Sequence, residues 1–252
     1  MRRSLVLVAV LAAACGPAFT PPVGPGEPAP EAAEAWAQAT ASCRSARTYS
    51  AMLHVGAVGA NVQTTVTDGG QVRLGAIVAG RPRFTLTGSR EEATFFLHDD
   101  QRVVRAPAAA IVEALIGTAI GPEEWLAFVT GCVTRSHDMS DAARIGKLLR
   151  ITTADGRVYL RRDGGVWRVR GGEVLGLVVD YEWQSSTFPS VLRARSAPGG
   201  PVETRLRLEA AQFRVNDTVP PAAFAPPRGA ATAAPMTLDE LRDAGLLGRK
   251  DD

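Results

Sequence analysis

From Thr48 onward the chain alternates. Tyr49, Ala51, Leu53 and Val55 are separated by polar or small residues, and Val62, Thr64 and Val66 keep the same period. Val72, Leu74, Ala76 and Val78 do so again. A period of two sends successive side chains to opposite faces, so each run predicts a strand with one face turned to a core. Shorter apolar runs follow at Phe84 and Leu86, at 95–97 and at 103–104. Turn residues separate them: Gly59-Ala60-Asn61, Asp68-Gly69-Gly70, Gly80-Arg81-Pro82 and His98-Asp99-Asp100. Connections this short join antiparallel neighbours. Strand patterns resume over 147–154, 157–162, 166–170, 173–183, 190–196 and 202–215, with Asp155-Gly156 and Asp163-Gly164-Gly165 as hairpin turns. The reading gives about eleven strands.

Between the two strand series the period lengthens. Pro107 suits the first turn of a helix, and Ile111, Leu115 and Ile116 share one helical face. Pro122-Glu123-Glu124 opens a second helix with acids at its positive end. Trp125, Leu126, Phe128 and Val129 supply its apolar side, and Gly131 ends it. An Ala-rich helix over 31–46 precedes the strands. A last helix over 237–244 starts with the capping box Thr237-Leu238-Asp239-Glu240. A long antiparallel sheet curls toward a barrel, and helices with one apolar face each must cover something. The natural place is the mouth or hollow of the curled sheet.

The ends of the chain change this picture. Arg2 and Arg3 precede a short apolar run over 5–14, and small residues lead into Cys15. About ten apolar residues are too few to span a bilayer. Residues 1–14 therefore read as a removable export signal. Leu11-Ala12-Ala13-Ala14-Cys15 looks like a bacterial lipoprotein box, which implies that Cys15 becomes the first residue and carries acyl chains such as palmitate. Residues 15–30, rich in Pro and Gly, read as an extended tether between membrane and domain. A domain over 31–247 and a short tail over 248–252 complete the division.

Charge and reactive residues narrow the function. Without residues 1–14 the 28 basic side chains lose Arg2 and Arg3, which leaves 26 against 26 acids. A neutral balance argues against nucleic acid as a partner. Cys43 and Cys132 remain, and the exported compartment allows a disulfide between them or two separate buried thiols. Neither sits in a CxxC or near a histidine, so metal ligation is not expected. His54, His98 and His137 are far apart, and no GxSxG or HExxH occurs. The chain offers no catalytic constellation and no cofactor motif, so we expect a protein that is not an enzyme.

The chain resembles the LolA/LolB-like family of bacterial lipoprotein carriers and receptors over roughly residues 33–247. The resemblance is carried by Tyr49-Ser50-Ala51 after the first helix, by Val103-Val104-Arg105-Ala106-Pro107 before the second, and by Ile116-Gly117. Pro122 to Gly131, Val179-Asp180-Tyr181, Phe188-Pro189 and the exit from Val215-Asn216 to Phe224 complete it. It implies a mainly β fold with α, a half-open antiparallel β-barrel with a helical lid over an apolar cavity for acyl chains. It also implies lipid or lipoprotein acyl chains as ligands, a periplasmic carrier protein as a partner, and a place on the periplasmic side of the outer membrane. Gly16, where an Asp would retain the protein at the inner membrane, agrees with that place. The loop tip Val78-Ala79-Gly80-Arg81-Pro82 lacks the large apolar residue the receptor type exposes.

By period two, Leu53, Val55, Leu74, Phe84, Leu86, Phe96, Trp125, Val179 and Tyr181 either line a lipid pocket or fill a solid core. With the resemblance we expect them, joined by Ile111 and Leu115, to line a hollow of several hundred cubic ångströms, room for two or three acyl chains. A non-catalytic assembly lipoprotein that holds a protein partner is the alternative.

Overall fold

The computed structural model describes residues 19–55, 60–184, 187–197 and 205–244. Cys15, the leader 1–14 and the tail 248–252 lie outside them. The chain opens with α1 (Ala32–Arg44), followed by six strands: β1 (Thr48–Val55), β2 (Ala60–Thr67), β3 (Val72–Val78), β4 (Arg81–Gly88), β5 (Ala93–Leu97) and β6 (Arg102–Ala106). Helices α2 (Ala108–Ile116) and α3 (Pro122–Thr130) come next. The second series is β7 (Asp141–Ile145), β8 (Leu148–Thr153), β9 (Gly156–Asp163), β10 (Val166–Val174), β11 (Leu177–Glu182), β12 (Val191–Ser196) and β13 (Arg205–Val215). The two-residue β14 (Ala234–Pro235) and α4 (Leu238–Asp243) end it.

Among the described residues, fourteen strands form one sheet, in the order β14-β6-β5-β4-β3-β2-β1-β13-β12-β11-β10-β9-β8-β7. Every pairing is antiparallel except β14 on β6. The edges β7 and β14 do not pair, so the sheet is not closed into a barrel. The count exceeds the expected eleven through β7 and β14. Asp141–Ile145 reads Asp-Ala-Ala-Arg-Ile, with Ile145 its one β-branched residue and no aromatic to mark a strand. The strands expected over 166–170 and 173–183 divide later than that, because Leu175 (φ 52°) and Gly176 (φ 73°) turn β10 into β11. Two successive positive φ values are the geometry of a tight hairpin turn.

The sheet's two halves meet where β1 pairs with β13, with Tyr49 opposite Val215 and Val55 opposite Leu208. The inner face of β8–β10 packs under α1. Helix α1 lies across β8, β9 and β10, and Trp36 packs among Leu149, Ile151, Leu160 and Val169, all buried. Cys43 at the end of α1 is bonded to Cys132 beyond α3, with Cα atoms 5.7 Å apart. Gly131 stops α3 in the left-handed region (φ 88°), where its bare Cα faces the Trp183 ring. Helix α2 packs on β5, β6 and α4.

The outer face is covered from both ends of the chain. From Phe19 onward the N-terminal segment lies on β8–β12 and is not an extended tether: Phe19 packs on Tyr159 and Val178, and Glu27 pairs with Arg144. The segment after β13 crosses the other half. There Arg73 donates to Ala223 O (3.1 Å) and Arg105 to Ala230 O (2.9 Å), burying Phe224 and Ala230. The capping box on α4 is formed, with Thr237 accepting from Glu240 N and Glu240 reaching back to Thr237 N.

Candidate functional site

A hollow of about 110 Å³, partly open to solvent, lies between α2 and the β1–β4 half of the sheet. Its floor is Leu53 and Val55 on β1, Val62 on β2, Val72 and Leu74 on β3, Phe84 and Leu86 on β4, and Leu206 and Leu208 on β13. Register brings these together. Leu53 stands opposite Val62 and Leu74 opposite Leu86, so their side chains share the inner face. Ala108, Val112, Leu115 and Ile116 of α2 form the roof. Ile120, Gly121, Pro122 and Trp125 close one side.

The walls are apolar almost throughout. The indole N–H of Trp125 donates to Thr64 Oγ1 at 2.9 Å, so the polar atom is satisfied. An ion pair, Glu123 with Arg90, joins the start of α3 to the residue whose carbonyl accepts from Ala108 N (3.1 Å). Both helices are thus held at one end, outside the hollow. A surface this poor in hydrogen-bonding groups selects ligands by apolar burial, worth ~0.8 kcal/mol per methylene.

Leu53, Val55, Leu74, Phe84, Leu86, Leu115 and Trp125 fall on the hollow as the sequence places them. Four other residues do not. Phe96 points outward, because Phe84 and Leu86 pair with Leu97 and Phe95, and it packs on Val103 and Ala230 beneath the C-terminal segment. Ile111 lies on the other side of α2, against the cluster of Phe95, Val104 and Leu241. Helix α2 is apolar around most of its girth, so its helical period does not single out the hollow side. Val179 and Tyr181 face inward on β11, in the half filled by α1 and α3. The Tyr181 hydroxyl donates to Phe128 O at 3.0 Å, and complete burial holds its pKa well above the usual phenol value. Val62, Val72, Leu206 and Leu208 were legible as strand positions of the same face. Val112 and Ile120 had no signal beyond being apolar.

The volume departs from expectation. About 110 Å³ is below the several hundred of a full ligand pocket and nearer the ~150 Å³ cavity that holds one benzene. Two or three acyl chains do not fit, because α2 and Trp125 come down onto the floor.

A larger cleft of about 380 Å³, lined by Glu124, Thr134, Arg135, Ser136, Asp155 and Leu175, is polar. Its groups bond one another: Asp155 accepts from Thr134 Oγ1 and from Ser136 N (3.0 Å), and Arg135 pairs with Glu124 at 3.5 Å. The histidines are dispersed. His54 contacts Asn61 (3.3 Å), His98 contacts Thr85 Oγ1 (2.9 Å), and the His137 carbonyl accepts from Trp36 (2.8 Å). Among the described residues no three His, Cys, Asp or Glu side chains are placed to hold a metal, and no helix is long and apolar enough to cross a membrane.

No family model matches the sequence, and no curated protein sequence matches it. Among solved structures the chain is similar to an uncharacterized conserved protein from Thermus thermophilus, at 9% identity and TM-score 0.38, over 82% of this chain and 98% of that one. It is also similar to LprF from Mycobacterium bovis, at 13% identity and TM-score 0.34, over 77% of this chain and 98% of that one.

Proposed function

We propose that the protein is a lipoprotein anchored through Cys15 on the periplasmic side of the outer membrane, and that the hollow under α2 takes one apolar chain of a lipid or of another lipoprotein. The observation that carries this reading is the hollow itself, a partly open space with walls from β1–β4, β13, α2 and Trp125 and almost no polar surface. A volume of about 110 Å³ admits a segment of a single acyl chain; a longer stretch requires α2 to lift. Small residues at the start of α2, Ala108 to Ala110, let it move with little repacking. The reading involves no chemical step and no cofactor. Delivery by a periplasmic carrier protein is part of it.

Native mass spectrometry of the protein taken from its own membrane tests both halves. The expected result is acylated Cys15 and a co-purified single-tailed or partly inserted lipid. A chain that carries no acyl group and takes up no fluorescent acyl probe would falsify the reading. The packed core between α1 and β8–β10 favours the second reading, an assembly lipoprotein that binds a protein partner. Absence of acyl-probe uptake with an intact anchor would select it.

A further inference from the structure

Phe19 comes from a Pro/Gly segment, yet it is only 6% exposed. Its ring lies 5.4 Å from that of Tyr159, and the Arg170 guanidinium stands 5.6 Å from its centroid. Gly171 makes the socket: a Cβ there would meet Phe19 Cδ1 at 2.8 Å. Arg195 donates to the Phe19 carbonyl (3.2 Å), and Arg150 donates to those of Gly24 (2.9 Å) and Pro25 (3.1 Å). Glu27 and Arg144 then exchange two backbone bonds, at 2.9 and 2.8 Å. The chain is therefore fixed to the outer face from Phe19 onward.

Cys15 lies four residues before Phe19. Four residues span at most ~14 Å when fully extended. A lipid on Cys15 thus brings the bilayer surface within that reach of the Phe19 socket. The arginines around the socket are balanced by carboxylates of the same face: Arg157 pairs with Glu173 (3.8 Å), Arg161 with Asp163 (2.7 Å), Arg170 and Arg193 with Asp180 (3.3 and 3.0 Å), and Arg193 also with Glu182. Arg157 and Arg161 expose about half of their side chains (59% and 48%). With these charges balanced, the short tether decides which face meets the membrane.

We propose that the outer face of β9–β12, centred on the Phe19 socket, lies against the bilayer that holds the Cys15 lipid. The roof helix α2, on the opposite face of the sheet, then points away from the anchoring membrane, and the hollow is loaded from the aqueous side. This orientation rests on the reading of Cys15 as a lipid anchor.

The test uses the full chain, recovered with its membrane and reconstituted into phosphatidylethanolamine–phosphatidylglycerol vesicles, with acylation of Cys15 read by mass spectrometry. A nitroxide is placed by Arg161→Cys on the outer face or by Glu113→Cys on exposed α2. Nickel-chelating headgroups should broaden the label at 161 several-fold more than the label at 113. In Phe19→Ser, carrying either label, that contrast should shrink. A label at 113 closer to the headgroups, or equal broadening at both sites, overturns the orientation while leaving the anchor standing. Undiminished contrast in Phe19→Ser overturns the role of the socket. A label at 161 shielded from lipid and from water alike points to a protein on that face and overturns the membrane assignment. A chain without an acyl group removes the anchor and the orientation together.

Discussion

Trp125 and Thr64 hold one wall of the hollow in place: the indole N–H of Trp125 donates to Thr64 Oγ1 at 2.9 Å, across the gap between α3 and β2. With that bond made, the ring lines the space beneath α2. Trp36, Trp167 and Trp183 belong to the other half, around the core under α1. An acyl chain brominated near its tip should therefore quench only a part of the tryptophan fluorescence. Trp125→Phe should remove that part, at a stability cost of about 1 kcal/mol for the lost bond. Quenching that survives in Trp125→Phe would place the chain elsewhere.

Val112 gives the complementary test. It lines the roof and is partly buried, so a larger side chain at this position projects into empty space. Val112→Phe should fill the hollow and weaken acyl-probe binding roughly tenfold or more, with stability changed by less than about 1 kcal/mol. Fluorescence titration and urea unfolding read the two effects separately. Loss of stability without loss of binding would show that the hollow does not take the probe.

The Cys43–Cys132 bond closes a separation of 89 residues and fastens the end of α1 to the loop after α3. In the chain-entropy picture a loop of this size is worth about 4 kcal/mol, and measured losses run at about 2–4 kcal/mol. The double variant Cys43→Ala/Cys132→Ala should unfold at lower urea by that amount. Acyl binding by the fraction still folded should be retained, since neither cysteine lines the hollow.

Acid should loosen the fold through two histidines. Burial lowers the pKa of His98, with Arg73 adding to the effect and Asp99 opposing it. Burial, and then Arg44, lowers that of His137 against the pull of Asp138. A group whose folded pKa is depressed below ~6.5 takes up its proton more readily in the unfolded chain. The two sites therefore add nothing to pH dependence well above 6.5, and stability falls as pH drops through that value. Urea midpoints measured from neutral pH downward should show the decline, and His98→Asn should make it shallower.

Strand pattern and turn residues carried most of the fold in the sequence, as in β1, where buried positions alternate with more exposed ones. The pattern fails where both faces are covered. All five residues of β5 are buried, since the C-terminal segment lies over its outer side, so Phe95 and Phe96 cannot be told apart by period. Leu175 disguises a turn, because a bulky side chain rarely takes positive φ and gives no warning of one. Val179 and Tyr181 were read on the correct face, but which half of the sheet is filled depends on where α1 lands, and no local pattern records that. Phe19 was a lone aromatic among prolines, and its partners Tyr159 and Gly171 come some 140 residues later.

The pairing of Tyr49 with Val215 has a consequence for how the chain reaches this form. The first and last long strands are the farthest apart in sequence, yet they form the midline of the sheet. A ribosome that has released β1 to β12 has therefore made two separate meanders whose inner edges are both unpaired. Only β13 can join them, a slow closure over the longest loop in the molecule. Shortening the protein from its C-terminal side through β13 would cut it down the centre and leave two exposed edges where one seam had been.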